Sequence, residues 1–219
     1  NILGSEFFKR KRDGDGISWI SFTSKQLPKL SCDVESKILE IKENGKKVIV
    51  YFTSSDDENE MLDSLEAPFL LWKNQFEAIK EIENICNQLG LFLIVRSHPH
   101  IKVKSKADQN RWEVIGDYLE QKGCLWINAW QPDSSYELID IADLIITGGS
   151  TIGVEAVAMA RPSIVICPCH YDGLFDSIKY CPDKDSLFRV LAKKSIFELP
   201  DPTSVNLFGA WSLSFGISF

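Results

Sequence analysis

The chain has 219 residues, of which 44% are hydrophobic and 25% are charged, as is ordinary for a globular protein. Its net charge of −7 argues against a general nucleic-acid-binding surface, and no apolar run approaches the length needed to span a membrane. The six scattered cysteines fit reduced thiols better than a disulfide framework, so we expect a cytoplasmic location.

Residues 1–45 are expected to form a lead-in or linker with one helix. Apolar side chains recur at roughly helical spacing over residues 32–44, which end at an Asn-Gly pair, and this favours a helix there. Residues 17–22 are a candidate strand. Residues 9–12 (Lys-Arg-Lys-Arg) form a basic patch that we interpret as a solvated face; the alternative is a role at a membrane surface.

Residues 46–199 alternate buried apolar runs with amphipathic segments. Strands are predicted at residues 47–53, 91–96, 124–128, 143–147 and 163–167, and helices at 69–89, 109–122, 134–141, after residue 150 and at 183–194. This alternation predicts βαβ units and the α/β fold class: a Rossmann-like parallel sheet with helices on both faces. Residues 200–219 form an aromatic, glycine-containing tail.

Polar residues gather after the predicted strands, at the carboxyl edge of such a sheet. They are Ser54 and Ser55, Arg96 and His98, Ser134 and Ser135, and the run Gly148, Gly149, Ser150 and Thr151, which we name the glycine loop. Ligands of open α/β sheets bind beyond the carboxyl ends of the strands. The sequence therefore predicts a ligand site along this edge.

The glycine loop suits a phosphate group. Its two glycines permit a tight turn and a close approach by a ligand, and either hydroxyl residue can cap the following helix, whose N-terminus favours an anion. Glu155 lies about one turn further on and is not explained by capping. We expect its carboxylate to accept hydrogen bonds from two ribose hydroxyls; the alternatives are a solvated glutamate or a salt bridge to Arg161.

His98 is the candidate for acid, base or phosphate chemistry. It follows a predicted strand, lies beside Arg96 and precedes Pro99, which holds the loop extended. Its ring could donate a hydrogen bond to a phosphate or exchange a proton. The alternative is a loop histidine bonded to the main chain.

Two clusters contain residue types that can bind metal ions, but their spacing in the sequence is not that of a usual metal site. The set Cys167, Cys169, His170 and Cys181 matches no usual zinc motif, and cysteines are among the most buried residues. The acidic run at residues 56–58 is interpreted as a solvated loop. We predict no metal site.

Five segments in order resemble a known family. They are residues 52–58 (FTSSDDE), 96–99 (RSHP), 134–139 (SSYELI), 147–156 (TGGSTIGVEA) and 161–164 (RPSI). Together they resemble the C-terminal, donor-binding half of bacterial capsule polysaccharide biosynthesis glycosyltransferases of GT-B fold. The His-Pro and Ser-Thr segments are also similar to those of polysialyltransferases and CDP-glycerol glycerophosphotransferases.

The resemblance implies a nucleotide-sugar donor, CMP- or CDP-linked, and no other cofactor. It implies that His98 is catalytic and that the residues of the carboxyl edge, with Glu155, bind the donor. It further implies a glycan or lipid-linked acceptor, a location at the inner face of the membrane, and an N-terminal partner domain, toward which residues 200–219 would pack. A chain without that partner is expected to bind nucleotide weakly and to transfer no sugar.

Two other classes stay open. Nucleotide-sugar 2-epimerases share the fold and a similar Gly-Gly-then-Glu helix start. A regulatory remnant that binds a nucleotide without turnover is the non-enzyme alternative. Release of free nucleotide together with transfer of the sugar to an acceptor distinguishes a transferase from both.

Overall fold

The computed structural model describes residues 2–14, 29–54 and 74–214. These residues form a six-stranded sheet in the order β3-β2-β1-β4-β5-β6, and every neighbouring pair is parallel. The strands are β1 (Val48–Phe52), β2 (Phe92–Arg96), β3 (Leu125–Ile127), β4 (Leu144–Thr147), β5 (Ser163–Val165) and β6 (Ile178–Tyr180).

Helices cover both faces of this sheet. They are α1 (Ile2–Arg12), α2 (Cys32–Glu43), α3 (Gln75–Gln88), α4 (Lys106–Gln121), α5 (Ser135–Ile141), α6 (Ile152–Ala158), α7 (Lys184–Leu191) and α8 (Asn206–Ser214). Short 3₁₀ turns occupy Pro99–Val103, Lys194–Phe197 and Pro202–Val205. Several helices begin at side-chain caps, since Asn74, Ser105, Ser134 and Asp183 each accept a main-chain N–H of the first turn.

The central strands are apolar throughout because both of their faces are covered. Every residue of β1, β2 and β4 is buried. Ile49 and Tyr51 pack toward α3, α4 and α7, whereas Val48 and Val50 pack toward α2 and α5. Two packed layers on a parallel sheet explain the continuous apolar runs in the sequence.

A third cluster joins the two ends of the described chain. Phe7 and Phe8 of α1 pack with Phe208 of α8 and with Val154 and Val157 of α6. The helices α1 and α8 cross so closely that a Cβ on Gly4 would overlap the carbonyl oxygen of Asn206. Only a glycine fits this crossing without moving a helix.

The predicted fold class is confirmed, and all five predicted strands are present. The sequence missed β6, an edge strand of three residues of which only Ile178 is buried. It also missed α1, so the first 45 residues hold two described helices rather than one. The candidate strand at 17–22 and the predicted helix start at 69–73 lie outside the described residues. The proposed domain boundaries stay a prediction.

None of the helices within residues 2–14, 29–54 and 74–214 is long and apolar enough to cross a bilayer.

Candidate functional site

The strand order places a crevice between β1 and β4. From β1 the chain proceeds to β2 and β3 on one side of the sheet, and from β4 it proceeds to β5 and β6 on the other. The segments that leave the carboxyl ends of β1 and β4 therefore diverge. Such a switch in direction is where open α/β sheets bind ligands. Here it brings together Ser54, after β1, and the glycine loop, after β4.

Ser54 and Gly148 lie against each other where these two segments diverge. A Cβ on Gly148 would lie 3.2 Å from Ser54 Oγ and 3.7 Å from the Tyr51 hydroxyl. The Ser54 side chain is 2% exposed, and within the described part of the chain its Oγ has no hydrogen-bond partner. Leaving a buried hydroxyl unpaired costs about 1–3 kcal/mol, so this atom is a candidate contact for a ligand.

Gln75, at the start of α3, fixes the main chain of Ser54. Its Oε1 accepts the Ser54 N–H at 2.7 Å, and its Nε2 donates to the Ser54 carbonyl oxygen at 3.2 Å. The Tyr51 hydroxyl also donates to Gln75 Oε1, at 3.3 Å. This clamp holds the Ser54 backbone and leaves its hydroxyl for another partner. No sequence motif identifies Gln75, because its partner Ser54 lies 21 positions earlier in the sequence.

The glycine loop is held from both sides. The Ser150 N–H donates to Thr147 Oγ1 at 3.1 Å, and the Tyr171 hydroxyl donates to the Ser150 carbonyl oxygen at 2.5 Å. Gly149 has φ +120°, a conformation that other residues rarely adopt, and a Cβ there would lie 3.0 Å from Cys169 Cβ. The loop is therefore rigid and close-fitting before any ligand arrives.

The helix after the loop differs from the prediction. Thr151 is the N-cap of α6 but makes no side-chain capping bond, and Ser150 Oγ only approaches the Ile152 N–H at 3.4 Å. The N–H groups of Gly153 and Val154 donate within the turn, to Ser150 and Thr151. The opening turn of α6 is thus internally bonded, so its N–H groups are not the free donors that the sequence suggested.

His98 is anchored next to this crevice. Its main-chain N–H donates to Thr53 Oγ1 at 2.8 Å, and its Nδ1 accepts the His100 N–H at 3.1 Å. Because Nδ1 accepts, a neutral His98 ring carries its proton on Nε2. Burial, together with His100 and Arg96, lowers the pKa of His98 to about 4. At neutral pH the ring is therefore an uncharged donor; its contact with a donor phosphate stays a prediction.

The low pKa of His98 predicts that the free energy of unfolding depends on pH. In the unfolded chain His98 protonates near its ordinary pKa of 6.5, but in the folded chain only near 4. Stability is therefore lost as pH falls from about 6.5 to about 4, by about 2–3 kcal/mol for this group. His98→Asn keeps an acceptor for the His100 N–H and removes the titration. Urea unfolding at pH 7.5 and 4.5 should show a smaller acid loss in the variant; an equal loss would contradict the depressed pKa.

Glu155 lies in a buried network and not on a solvated surface. Its Oε1 accepts from Lys11 Nζ at 2.5 Å and from Thr151 Oγ1 at 2.8 Å, and its Oε2 accepts from the Tyr136 hydroxyl at 2.7 Å. Burial alone would raise the pKa of Glu155, but the charge of Lys11 and these hydrogen bonds hold it below its ordinary value. The carboxylate is therefore ionised at neutral pH. A ribose contact by Glu155 stays a prediction, and it would have to share oxygens that already have partners.

The partner of Glu155 also corrects two interpretations. The basic patch is not a uniformly solvated face, since Lys11 reaches Glu155 and Arg12 pairs with Asp140. The alternative salt bridge from Glu155 to Arg161 is absent, because Arg161 donates instead to the carbonyl oxygens of residues 139 and 140. The sequence could not show this, as Lys11 and Glu155 lie 144 positions apart.

Arg96 is buried and bonded to the main chain. Its guanidinium donates to the carbonyl oxygens of Asn128, Gln131 and Asp133 at 2.6–3.1 Å. Burial lowers its pKa to about 10, so it stays charged at neutral pH. In this position it shapes the loop after β3. A direct contact with a donor stays a prediction.

Of the remaining predicted site residues, two lie at the start of α5 and one lies outside the described residues. Ser134 is the N-cap of α5, and its Oγ accepts the Glu137 N–H at 3.2 Å. Ser135 is half-buried in the first turn of that helix, and Ser55 lies outside the described residues. Within residues 2–14, 29–54 and 74–214, no three His, Cys, Asp or Glu side chains are grouped to hold a metal ion.

Comparisons with known proteins give matches in structure alone. No protein-family model and no curated protein matches the sequence. The UDP-GlcNAc 2-epimerase of Methanocaldococcus jannaschii, solved with UDP-GlcNAc and UDP, superposes with a TM-score of 0.51 at 12% identity, over 96% of this chain and 51% of that one. A putative UDP-GlcNAc 2-epimerase of Listeria monocytogenes gives 0.51 at 16% identity, over 79% and 44%.

A third match is a glycosyltransferase. KpsC of Thermosulfurimonas dismutans, a β-Kdo 2,7 transferase, gives a TM-score of 0.43 at 16% identity, over 71% of this chain and 48% of that one. This score is too low to support an inference about the chain. The likeness to the epimerases shows the fold: a Rossmann-like α/β domain of the kind that forms one half of a GT-B protein. The chain spans about half the length of the structures that it matches.

Proposed function

We propose that this chain is the nucleotide-sugar-binding domain of a glycosyltransferase, with the phosphate of the donor in the crevice between β1 and β4. The observation that carries this proposal is the unpaired, buried Ser54 hydroxyl facing Gly148 at the switch point of the sheet. A phosphate oxygen in the crevice would give that hydroxyl an acceptor. The glycine loop, held by Thr147 and Tyr171, forms the opposite wall.

Support for a nucleotide sugar comes from two independent directions. The five ordered sequence segments resemble the donor half of capsule polysaccharide glycosyltransferases. A protein of the same fold, the Methanocaldococcus epimerase, was solved with UDP-GlcNAc and UDP. The finer assignments belong to the proposal and follow the sequence resemblance: a CMP- or CDP-linked donor, a glycan or lipid-linked acceptor, work at the inner face of the membrane, and a role in surface or capsular polysaccharide synthesis.

The proposed roles follow the geometry of the edge. Ser54 and the glycine loop bind phosphate, and the neutral His98 donates from Nε2 to the oxygen that gains charge as the nucleotide departs. Arg96 and Ser134 hold the neighbouring loops. Ser55 and Ser135 are proposed as further donor contacts. Transfer itself also needs the groups of a partner domain, so this chain alone is expected to bind and not to turn over.

Ser54→Ala tests the site with two readouts of opposite sign. Losing an unpaired buried hydroxyl should raise the free energy of unfolding by about 1 kcal/mol, and losing a phosphate contact should weaken UDP and CDP binding about tenfold. Titration calorimetry and urea unfolding measure the two. Unchanged affinity would contradict the proposed phosphate site.

Ser97→Ala is the matched control. Ser97 is equally buried and lies directly after β2, but its Oγ accepts the Trp126 Nε1–H at 2.8 Å. This substitution should lower stability by about 1 kcal/mol and leave nucleotide affinity unchanged. The pair therefore separates loss of a ligand contact from loss of a structural hydrogen bond.

A 2-epimerase domain is the second candidate. It is favoured by the two matches with a TM-score of 0.51, both to UDP-GlcNAc 2-epimerases. Incubating the protein that carries this domain with labelled UDP-GlcNAc, CMP-sugar and CDP-glycerol distinguishes the candidates. Transfer of label to an acceptor with release of nucleotide supports a transferase. Inversion at carbon 2 supports an epimerase, and binding without turnover supports a regulatory domain.

A further inference from the structure

The sequence resemblance assigns no role to α1, yet its Lys11 reaches the glycine loop. The Lys11 ammonium donates to Thr151 Oγ1 at 3.1 Å and to Glu155 Oε1 at 2.5 Å. Thr151 is the last residue of that loop. A cation from the first helix is thus in direct contact with the wall of the proposed phosphate site, 140 positions away in sequence.

The two side chains of the Lys11–Glu155 ion pair are buried to different extents. The Glu155 side chain is 5% exposed and that of Lys11 is 21% exposed, so the carboxylate lies deeper than the ammonium. An ammonium has three N–H groups, of which two donate to Glu155 and Thr151. The pair therefore places its positive end closer to solvent than its negative end, with a third N–H that takes part in neither of these two bonds.

Two arginines of the described chain are bound to the main chain, and the His98 ring is uncharged. Arg96 donates to three carbonyl oxygens, and Arg161 donates to two. His98, with a pKa of about 4, is neutral at physiological pH. A nucleoside diphosphate carries two or more negative charges, and Lys11 is a charged group placed beside its proposed position.

A ribose is a poor replacement for Lys11 on Glu155. Removing one partner of a buried ion pair is strongly unfavourable, since it leaves an uncompensated charge. Ribose hydroxyls offer neutral hydrogen bonds in exchange for a full positive charge. Lys11 should therefore stay on Glu155 when a nucleotide binds, so its ammonium is present for the phosphate.

We propose that Lys11 supplies the positive charge that meets the phosphate of a bound nucleotide, and that Glu155 and Thr151 hold its ammonium at the glycine loop. This inference rests on the proposed function and adds a ligand contact from α1. Lys11 would touch the substrate itself, whereas Glu155 would act chiefly as the positioning residue for Lys11.

The test is the phosphate-dependent part of affinity. Chemical-shift titration measures the binding of UDP, CDP, uridine and cytidine to wild type, Lys11→Gln and the double variant Lys11→Gln/Glu155→Gln. The double variant removes both charges, so the buried carboxylate is not left unpaired and folding is preserved. We expect the ratio of UDP to uridine affinity, and of CDP to cytidine affinity, to fall about tenfold to a hundredfold in both variants.

Recovery of the wild-type ratio in the double variant would overturn the proposal, because it would show that Lys11 only balances the charge of Glu155. Arg12→Gln is the matched control: it removes a charge from the same helix, but Arg12 pairs with Asp140, so the ratio should not change. A fall in the ratio for Arg12→Gln as large as for Lys11→Gln would also overturn it.

Glu155→Gln separates the two roles of the carboxylate. If Glu155 positions Lys11, the variant loses UDP affinity and keeps uridine affinity. If Glu155 binds ribose, the variant loses affinity for both UDP and uridine, and wild type binds 2′,3′-dideoxyuridine as poorly as the variant binds uridine. That result would overturn the positioning role.

Absence of nucleotide binding by wild type at millimolar concentration would overturn the proposed function and this inference together. The variant results above bear on the inference alone.

Discussion

Alanine in place of Gly4 is expected to lower the free energy of unfolding by about 2–3 kcal/mol. A Cβ at this position would overlap the carbonyl oxygen of Asn206, which is main chain and cannot turn aside as a flexible side chain could. The two helices would have to separate, and close contacts of Phe7, Phe8 and Phe208 would loosen with them. Urea unfolding of wild type and variant measures the difference.

The sign of this result is informative. In an ordinary helix, replacing glycine with alanine stabilises by about 0.5–1 kcal/mol, so helix propensity alone predicts a gain for Gly4→Ala. Ser5→Ala is the control on the same helix, since Ser5 is exposed and its hydroxyl donates to the carbonyl oxygen of Ile2, in its own helix; it should change stability by less than about 0.5 kcal/mol. A stabilised Gly4→Ala variant would show that α1 does not dock on α8 as described.

His98→Ala is expected to lower turnover about a hundredfold in the enzyme that carries this domain, and by at least about tenfold. Loss of one preorganised donor to a developing negative charge has this magnitude in other enzymes. The ring is held for such a role, because Nδ1 accepts the His100 N–H and Nε2 keeps the proton. Turnover and KM with a labelled nucleotide-sugar donor measure the effect, which should fall mainly on turnover.

His100→Ala is the matched control. It removes a neighbouring imidazole but keeps the main-chain N–H that orients His98, so turnover should change less than about threefold. The activity attributed to His98 should also be independent of pH between about 5.5 and 8, since a ring with a pKa of about 4 does not titrate there. Near-normal turnover of His98→Ala, or equal losses in the two variants, would contradict the assignment.

The sheet was predictable because each of its central strands is marked by a short, continuous segment of the sequence. The strands β1, β2 and β4 are covered on both faces, so each appears in the sequence as a continuous apolar run. The polar residues that follow were predictable for a related reason: parallel strands place their carboxyl ends at one edge. Each of these inferences needs only neighbours along the chain.

The interior of the site was less predictable because its partners are distant. Whether Glu155 is solvated or buried depends on Lys11 and Tyr136, which come from two other helices. The four consecutive cations of residues 9–12 favour a solvated face, and nothing near them identifies the acidic partners of Lys11 and Arg12. Arg96 has the charge of a phosphate ligand, but the fold surrounds it with carbonyl oxygens. The clamp of Gln75 on Ser54 similarly spans a long segment.

The crossing of α1 and α8 also bears on the order of folding. Gly4 and Asn206 touch although 202 positions separate them, so this contact closes a loop that contains the whole sheet. Closing so long a loop costs entropy that local contacts do not have to overcome, and contacts of this kind form late. During synthesis α1 is made before α8 and must wait for it. The buried charge of Glu155 would therefore receive its cation only after α8 has been made.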